Sequence, residues 1–167
     1  NQRNTAALLK ELNGVLSAKG LSLSKKQINR LSSYTWQSAM TNLWFSTLRG
    51  KKPTREEVQL GLWVGAFTPI IDDMMDDNNW TFDQVLNTPP LNSPASVVFH
   101  YLNDKMQSYF EERPGFKRYF DEAIAAQNRS LVQVQSELLS REELQCINVD
   151  KGGFSTLWFR TILNNEL

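Results

Sequence analysis

One cysteine, Cys146, and one histidine, His100, are all that the 167 residues contain of these two types. A single thiol excludes an internal disulfide framework and any multi-cysteine zinc site, and it fits a reducing compartment. A single imidazole excludes His-rich metal centres, so Ser/His/Asp or Cys/His catalysis would depend on His100 alone. Charge of one sign is also missing: Lys+Arg 18 balance Asp+Glu 18. Without a basic excess there is no global electrostatic case for nucleic acid, and any anion site must be local. The longest nearly apolar run, Leu60 to Ile71, contains Thr68 and Pro69. It falls well short of the ~20 residues a membrane span requires and reads as a buried helix segment. Behind Asn1-Gln2-Arg3-Asn4 there is no apolar signal region, so a cytoplasmic location is the expectation. The lack of an initiator Met leaves the natural start open.

What remains is 41% apolar and 22% charged residues, enough for one ordinary domain with a core. Its 3.6-residue periodicity dominates, with hardly any period-two alternation, and predicts an all-α helical bundle. A first helix is expected from about Thr5 to Lys19, closed by Gly20, and a second from the N-cap Ser24 to about Leu48, closed by Gly50. Thr54 with Glu57 three residues on forms a capping box that opens a third helix to about Asp77. Thr81 caps a short helix to Leu86, and 87–94, rich in Asn and Pro, is a loop. Ser93 with Pro94 at N1 starts a long helix to about Glu112, which Arg113-Pro114-Gly115 breaks. Another follows from Phe116 to about Leu139. Ser140-Arg141-Glu142-Glu143 caps a short helix to Cys146, and Lys151-Gly152-Gly153 is expected to interrupt the chain before a last piece to Leu163.

The chemistry gathers at the end of the third helix. Val58, Leu62, Gly65, Pro69, Asp72 and Asp76 are spaced by fours and threes, as are Trp63, Ala66, Ile70, Asp73 and Asp77. The carboxylates thus continue two apolar stripes and are expected to face inward, with Met74 and Met75 taking the remaining positions. Buried carboxylates cost several kcal/mol each unless compensated, so four together call for a cation. Asp72, Asp73 and Asp76 offer hard oxygen ligands on one side of one turn, which suits Mg²⁺ and argues against zinc or copper. The EF-hand register fails, because the third loop position is Met74 or Met75 and the sixth is never glycine. The plain alternative is a solvated acidic helix end running into Asn78-Asn79.

Two lesser irregularities follow. Gln127 interrupts the seam Phe116, Phe120, Ala123, Leu131, Val134, Leu138, and a buried amide there needs either a neighbouring helix or a polar cavity to bond. Lys151-Gly152-Gly153 can approach a phosphate with an ammonium and backbone N–H groups, or is simply a turn. His100, one turn before Asp104, is a candidate general base or a satisfied core or surface histidine. Cys146 reads as structural.

In this order these features resemble the class I isoprenoid synthase superfamily, which includes trans-prenyltransferases, squalene/phytoene synthases and terpene cyclases. Asp72-Asp73-Met74-Met75-Asp76-Asp77 is similar to the family's DDxxD. Ala126-Gln127-Asn128-Arg129-Ser130-Leu131 is loosely like GQxxDL, and Lys151-Gly152-Gly153-Phe154-Ser155-Thr156-Leu157 is loosely like a KTxxL segment and the cyclases' broken helix. The resemblance runs from about Leu43 to the end. It implies a bundle around a central apolar cavity, with Mg²⁺ on Asp72, Asp73 and Asp76 and Asp77 beside them. It assigns diphosphate contact to Lys151, with Gly152 and Gly153, and a cavity-facing role to Gln127. Arg160 and the basic turn Arg49-Gly50-Lys51-Lys52 are further phosphate candidates, or a solvated cluster. Phe45, Trp63, Phe67, Phe99 and Trp158 are the candidate pocket aromatics. The implied substrate is an allylic prenyl diphosphate, ionised for prenyl transfer or cyclisation, in a protein whose oligomeric state admits a homodimer.

The departures from the family also carry information. There is no GGKRxRP segment and no arginine pair after the aspartates, and Ser130 stands where GQxxDL has an acid, which disfavours chain elongation. No second metal motif appears, and Asn164-Asn165-Glu166 lacks its spacing. The expectation is one isoprenoid-synthase-like domain over 1–167, lacking its last helices or else unable to hold the usual three metals. The alternative is a non-catalytic helical domain that binds an isoprenoid or a protein.

Overall fold

The computed structural model describes residues 2–88, 93–135 and 139–163. Every regular element in them is helical: α1 (Gln2–Ser17), α2 (Lys25–Arg49), α3 (Arg55–Asn78), α4 (Phe82–Asn87), α5 (Pro94–Gln107), α6 (Pro114–Ser130), α7 (Val132–Gln135) and α8 (Arg141–Thr161). α1 begins three residues before the expected Thr5 and α6 two before Phe116, whereas the expected starts after Ser24, Thr54, Thr81, Ser93 and Ser140 hold because each is a local hydrogen-bond device. Ser24, Thr54, Thr81 and Ser140 all close capping boxes with the residue three positions on, and Ser93 caps α5 ahead of Pro94. Gly50 ends α2 at φ 71° and Asn79 ends α3 at φ 54°, both in the left-handed region that a helix stop uses.

Three further boundaries differ from the sequence expectation. α5 stops at Gln107, not Glu112, and tighter bonds follow from Tyr109 N–H to the Met106 carbonyl and from Phe110 N–H to that of Gln107. α6 ends at Ser130, whose hydroxyl donates to the Gln127 carbonyl at 2.7 Å and draws an acceptor out of the helical ladder. The seam holds as far as buried Leu131; the side chains of Val134 and Leu138 lie outside the described residues. The third correction concerns α8, which runs unbroken through Gly152 and Gly153, neither of which has a positive φ. Two interior glycines disfavour a helix by roughly 1 kcal/mol each, and the packing of α8 along α6 overrides them.

α3 is central, packed against α2 and α5, while α6 pairs with α8 and α1 leans on α5 and α2. Between α2/α3 on one side and α6/α8 on the other lies an aromatic floor. Phe67 stacks on Phe99 at 5.4 Å, Trp158 meets Phe120 at 5.3 Å, and Phe82 meets Phe120 at 5.7 Å. Such pairs contribute about 0.5–1.5 kcal/mol each beyond their burial.

The α2–α3 seam is polar and tight. Thr35, Ser38, Asn42 and Ser46 follow Leu31 on the buried face of α2, and Ser38 donates to the Gly61 carbonyl at 2.5 Å. A Cβ at Gly61 would strike the Asn42 amide, and one at Gly65 would lie 2.8 Å from Ser38 Cβ and 3.0 Å from the Tyr34 carbonyl oxygen. Gly65→Ala must therefore move backbone and is expected to destabilise by about 1–3 kcal/mol. Gly14→Ala meets nothing within 4 Å inside α1 and is expected to stabilise by up to about 1 kcal/mol. Thermal melts of the two variants should move in opposite directions.

Tyr101 of α5 donates to Glu11 of α1 at 2.5 Å. Burial first, and then the bond to Glu11, push its phenol from 10.0 up to about 12. A raised pKa means the fold prefers the neutral phenol, so this stabilisation is complete below pH 10.0 and disappears as pH climbs through about 12. Melting temperatures across that window should fall more steeply for the wild type than for Tyr101→Phe.

Candidate functional site

The acidic run ends a core helix, but its phase differs from the sequence reading. Met74 and Met75 are the buried pair, at 7% and 0% exposure. Asp72, Asp73 and Asp76 are half-buried and Asp77 is exposed. α3 is covered on more than one side, so the methionines continue the core and the carboxylates occupy its flank. Three of the four divide between two clefts, and Asp76 lines neither. Asp72 borders a cleft of about 330 Å³ between α2, α3, α6 and α8, whereas Asp73 and Asp77 border a second of about 490 Å³ with Lys26 and Arg30.

Asp72 is the meeting point. Its Oδ1 accepts from Gln127 Nε2 at 2.9 Å and from Lys151 Nζ at 3.0 Å, and its Oδ2 accepts from Arg30 at 3.2 Å. The same guanidinium nitrogen reaches Asp73 Oδ1 at 3.0 Å, so Arg30 straddles the two carboxylates. Four helices thus deliver one group each: α2 Arg30, α3 Asp72, α6 Gln127 and α8 Lys151. Burial pushes the carboxyls of Asp73 and Asp76 up from 3.8, with help from neighbouring aspartates and against the pull of Arg30 and Lys151 respectively. Stability from their neutral forms is present below 3.8 and lost as pH rises through the raised values. Above those raised values Asp73 and Asp76 carry charge at the expense of the fold, a pattern common at binding sites.

The lining of the first cleft is mixed. Buried Phe67, Ile71, Ala123 and Trp158 and half-buried Ile124 and Phe159 are its apolar part, and Tyr34, Gln37, Thr41, Thr68, Ser155 and Thr156 join Asp72, Gln127 and Lys151 in its polar part. Of the five expected pocket aromatics, Phe67 and Trp158 form wall. Phe99 sits one ring behind Phe67. Trp63 packs against Tyr109 and under Lys105, and Phe45 is half-buried on α2; neither lines the cleft.

Among the expected phosphate contacts, Lys151 and Gly152 are at the cleft, while exposed Gly153 and half-buried Arg160 are not among its lining residues. The turn at 49–52 is not simply a solvated cluster, because Arg49 is buried in a two-pronged pair with Glu57, at 2.7 and 2.9 Å. His100 Nε2 lies 3.0 Å from the Thr88 carbonyl oxygen, which satisfies it without a catalytic partner. Cys146 is exposed and is not core structure. Asn164, Asn165 and Glu166 lie outside the described residues.

Sequence reasoning missed Arg30. It stands 42 residues before Asp72, in a segment with no motif, and only the packing of α2 on α3 brings it near. Among the described residues, no three His, Cys, Asp or Glu side chains converge as a ready-made metal cage. The donor set instead fits an ion that takes one or two carboxylates, Asp72 and Asp76, and completes its shell with water and ligand oxygens, which is how magnesium binds. No family model, curated protein or solved structure matches the chain, so the case for the site rests on the chemistry of its own residues.

Proposed function

We propose that the chain is a class I isoprenoid synthase-like protein that ionises an allylic prenyl diphosphate in the cleft beside Asp72, for prenyl transfer or cyclisation. One observation carries this reading. Asp72 and Lys151, 79 residues apart in sequence, meet at 3.0 Å on the wall of a cleft whose buried lining residues, Gln127 apart, are apolar: Phe67, Ile71, Ala123 and Trp158. A ligand with an anionic head and a hydrocarbon tail fits that pairing, and the cleft volume lies at the lower end of the small-molecule range.

Magnesium on Asp72 and Asp76 would supply Lewis-acid neutralisation of the departing diphosphate. The remaining work falls to side chains. Lys151, which lines this cleft and now holds Asp72, is a cation within reach of a phosphate bound there, while Arg30 holds Asp72 from the side of the second cleft. Gln127 fixes the orientation of the Asp72 carboxylate from α6. When the carbon–oxygen bond breaks, its electron pair leaves with the diphosphate and positive charge develops on the allylic carbon. Phe67 and Trp158, aromatic rings in the lining, would exclude water and lie near that charge.

A second reading has an observation of its own: three donors already engage both oxygens of Asp72. That is also what a structural ion-pair network looks like, in a helical domain that binds an isoprenoid or a protein without turning it over. Release of inorganic diphosphate separates the two. With Mg²⁺ and geranyl, farnesyl or geranylgeranyl diphosphate, release from at least one substrate supports the enzyme, and none from all three supports the non-catalytic domain.

A further inference from the structure

α2 is built inside out. Past fully buried Leu31 its buried residues are Thr35, Ser38, Asn42 and Ser46, and four of its large apolar side chains point to solvent: Trp36 59%, Leu43 51%, Trp44 63% and Leu48 73% exposed. Lying seven, eight and twelve residues after Trp36, the other three share its side of the helix over about three turns. A solvent-facing helix normally carries charge there, yet residues 31–48 contain no Asp, Glu, Lys or Arg. The exposed apolar area is on the order of 500 Å², at the size where a patch on a monomer is usually functional.

Charge at its borders selects the partner. Residues 12–55 hold eight basic residues and no acidic one, in a chain whose total is balanced. Lys25 and Lys26 stand exposed at one end of the stripe, and Lys51, Lys52 and Arg55 at the other. A second copy fits poorly. Two-fold antiparallel pairing of α2 would set the Lys25 end of one copy against the Lys51–Lys52 end of the other, and the patch is below the roughly 800 Å² per partner of a standard interface. Tryptophan and leucine between basic ends match an anionic lipid surface, where indole rings sit at the headgroup level and lysines meet phosphate and carboxylate. No described helix is long and apolar enough to cross a membrane, so the contact lies on the surface.

We infer that the outer face of α2 docks this protein on anionic lipid bilayers. The docked face adjoins the first cleft: Gln37 and Thr41, which line it, lie on the same helical row as Trp44 and Leu48. A lipid-borne amphiphile would then meet the cleft mouth at the membrane surface, although the docking itself does not depend on what the cleft does.

Vesicle flotation tests it. The wild type should float with phosphatidylcholine vesicles containing about 30% phosphatidylserine, bind at least about tenfold more weakly to pure phosphatidylcholine, and come off as salt is raised. Trp44→Ser with Leu48→Ser should lose about tenfold or more at unchanged helicity. If that pair fails to fold, Lys25→Glu, Lys51→Glu and Lys52→Glu together alter only exposed side chains and should abolish flotation. Absence of wild-type flotation on anionic vesicles overturns the inference. So does equal binding to both vesicle types, or a concentration-dependent dimer that Trp44→Ser dissolves while nothing floats.

Discussion

Asp72→Ala is expected to abolish Mg²⁺-dependent diphosphate release, and the near-isosteric Asp72→Asn to lower it by at least about 10²-fold, the cost of removing one well-placed electrostatic group from an active site. Both changes remove the carboxylate that would share the metal with the leaving group. Stability separates a catalytic role from a structural one. The pairs that Asp72 makes with Lys151 and Arg30 are partly open to water, with side chains 36% and 34% exposed against 22% for the aspartate. Ion pairs of that kind contribute about 0–1 kcal/mol, so Asp72→Asn should shift the melting temperature by only a few degrees. Full activity in Asp72→Asn sinks the catalytic reading. Loss of activity together with collapse of the fold would assign the four-helix junction to structure instead. Lys151→Ala makes the complementary point: it leaves Asp72 with Gln127 and Arg30 while removing a phosphate cation, so it should weaken substrate binding more than it weakens Mg²⁺ binding.

The limits of the sequence reading follow from which forces are local. Helix starts at Ser24, Thr54, Thr81, Ser93 and Ser140 were readable because a cap is decided within four residues. The continuity of α8 through Gly152-Gly153 was not, because such a pair is punctuation only where tertiary packing fails to outweigh it. The stripe argument placed the four aspartates at the end of a core helix, as found, yet it inverted the inner phase of Met74 and Met75. Period alone does not say how many sides of a helix are covered. Lys151 and Gln127 were legible as misfits on their helices, and both do converge on Asp72. Arg30 was not, since nothing in its neighbourhood breaks a pattern. The hardest case was α2. Its burial follows from backbone approach at Gly61 and Gly65, a requirement of the partner helix that hydrophobic periodicity in α2 itself cannot reveal.

The largest stability effect should come from Glu57, a residue whose carboxylate serves two tasks. It accepts from the Thr54 backbone N–H at 2.7 Å, completing the capping box of α3, and it pairs with both terminal nitrogens of Arg49. The side chains are 2% and 7% exposed, so removing one partner strands the other charge out of water. Glu57→Ala is therefore expected to cost about 3–5 kcal/mol, a large share of the 5–15 kcal/mol that holds a typical domain. Glu57→Gln separates the tasks, because glutamine still serves at the third position of a capping box and still accepts one bond from Arg49, but it leaves the guanidinium uncompensated. Its loss should fall between wild type and Glu57→Ala. Arg49→Lys keeps the charge and gives up the fork, and should also fall in between. Replacing both partners with apolar residues removes the stranded charge and should recover much of the loss, with the missing cap as the residue of the deficit. Urea midpoints at an unchanged m-value would measure the series. A Glu57→Ala cost below about 1 kcal/mol would mean that water reaches Arg49 as soon as its partner is gone.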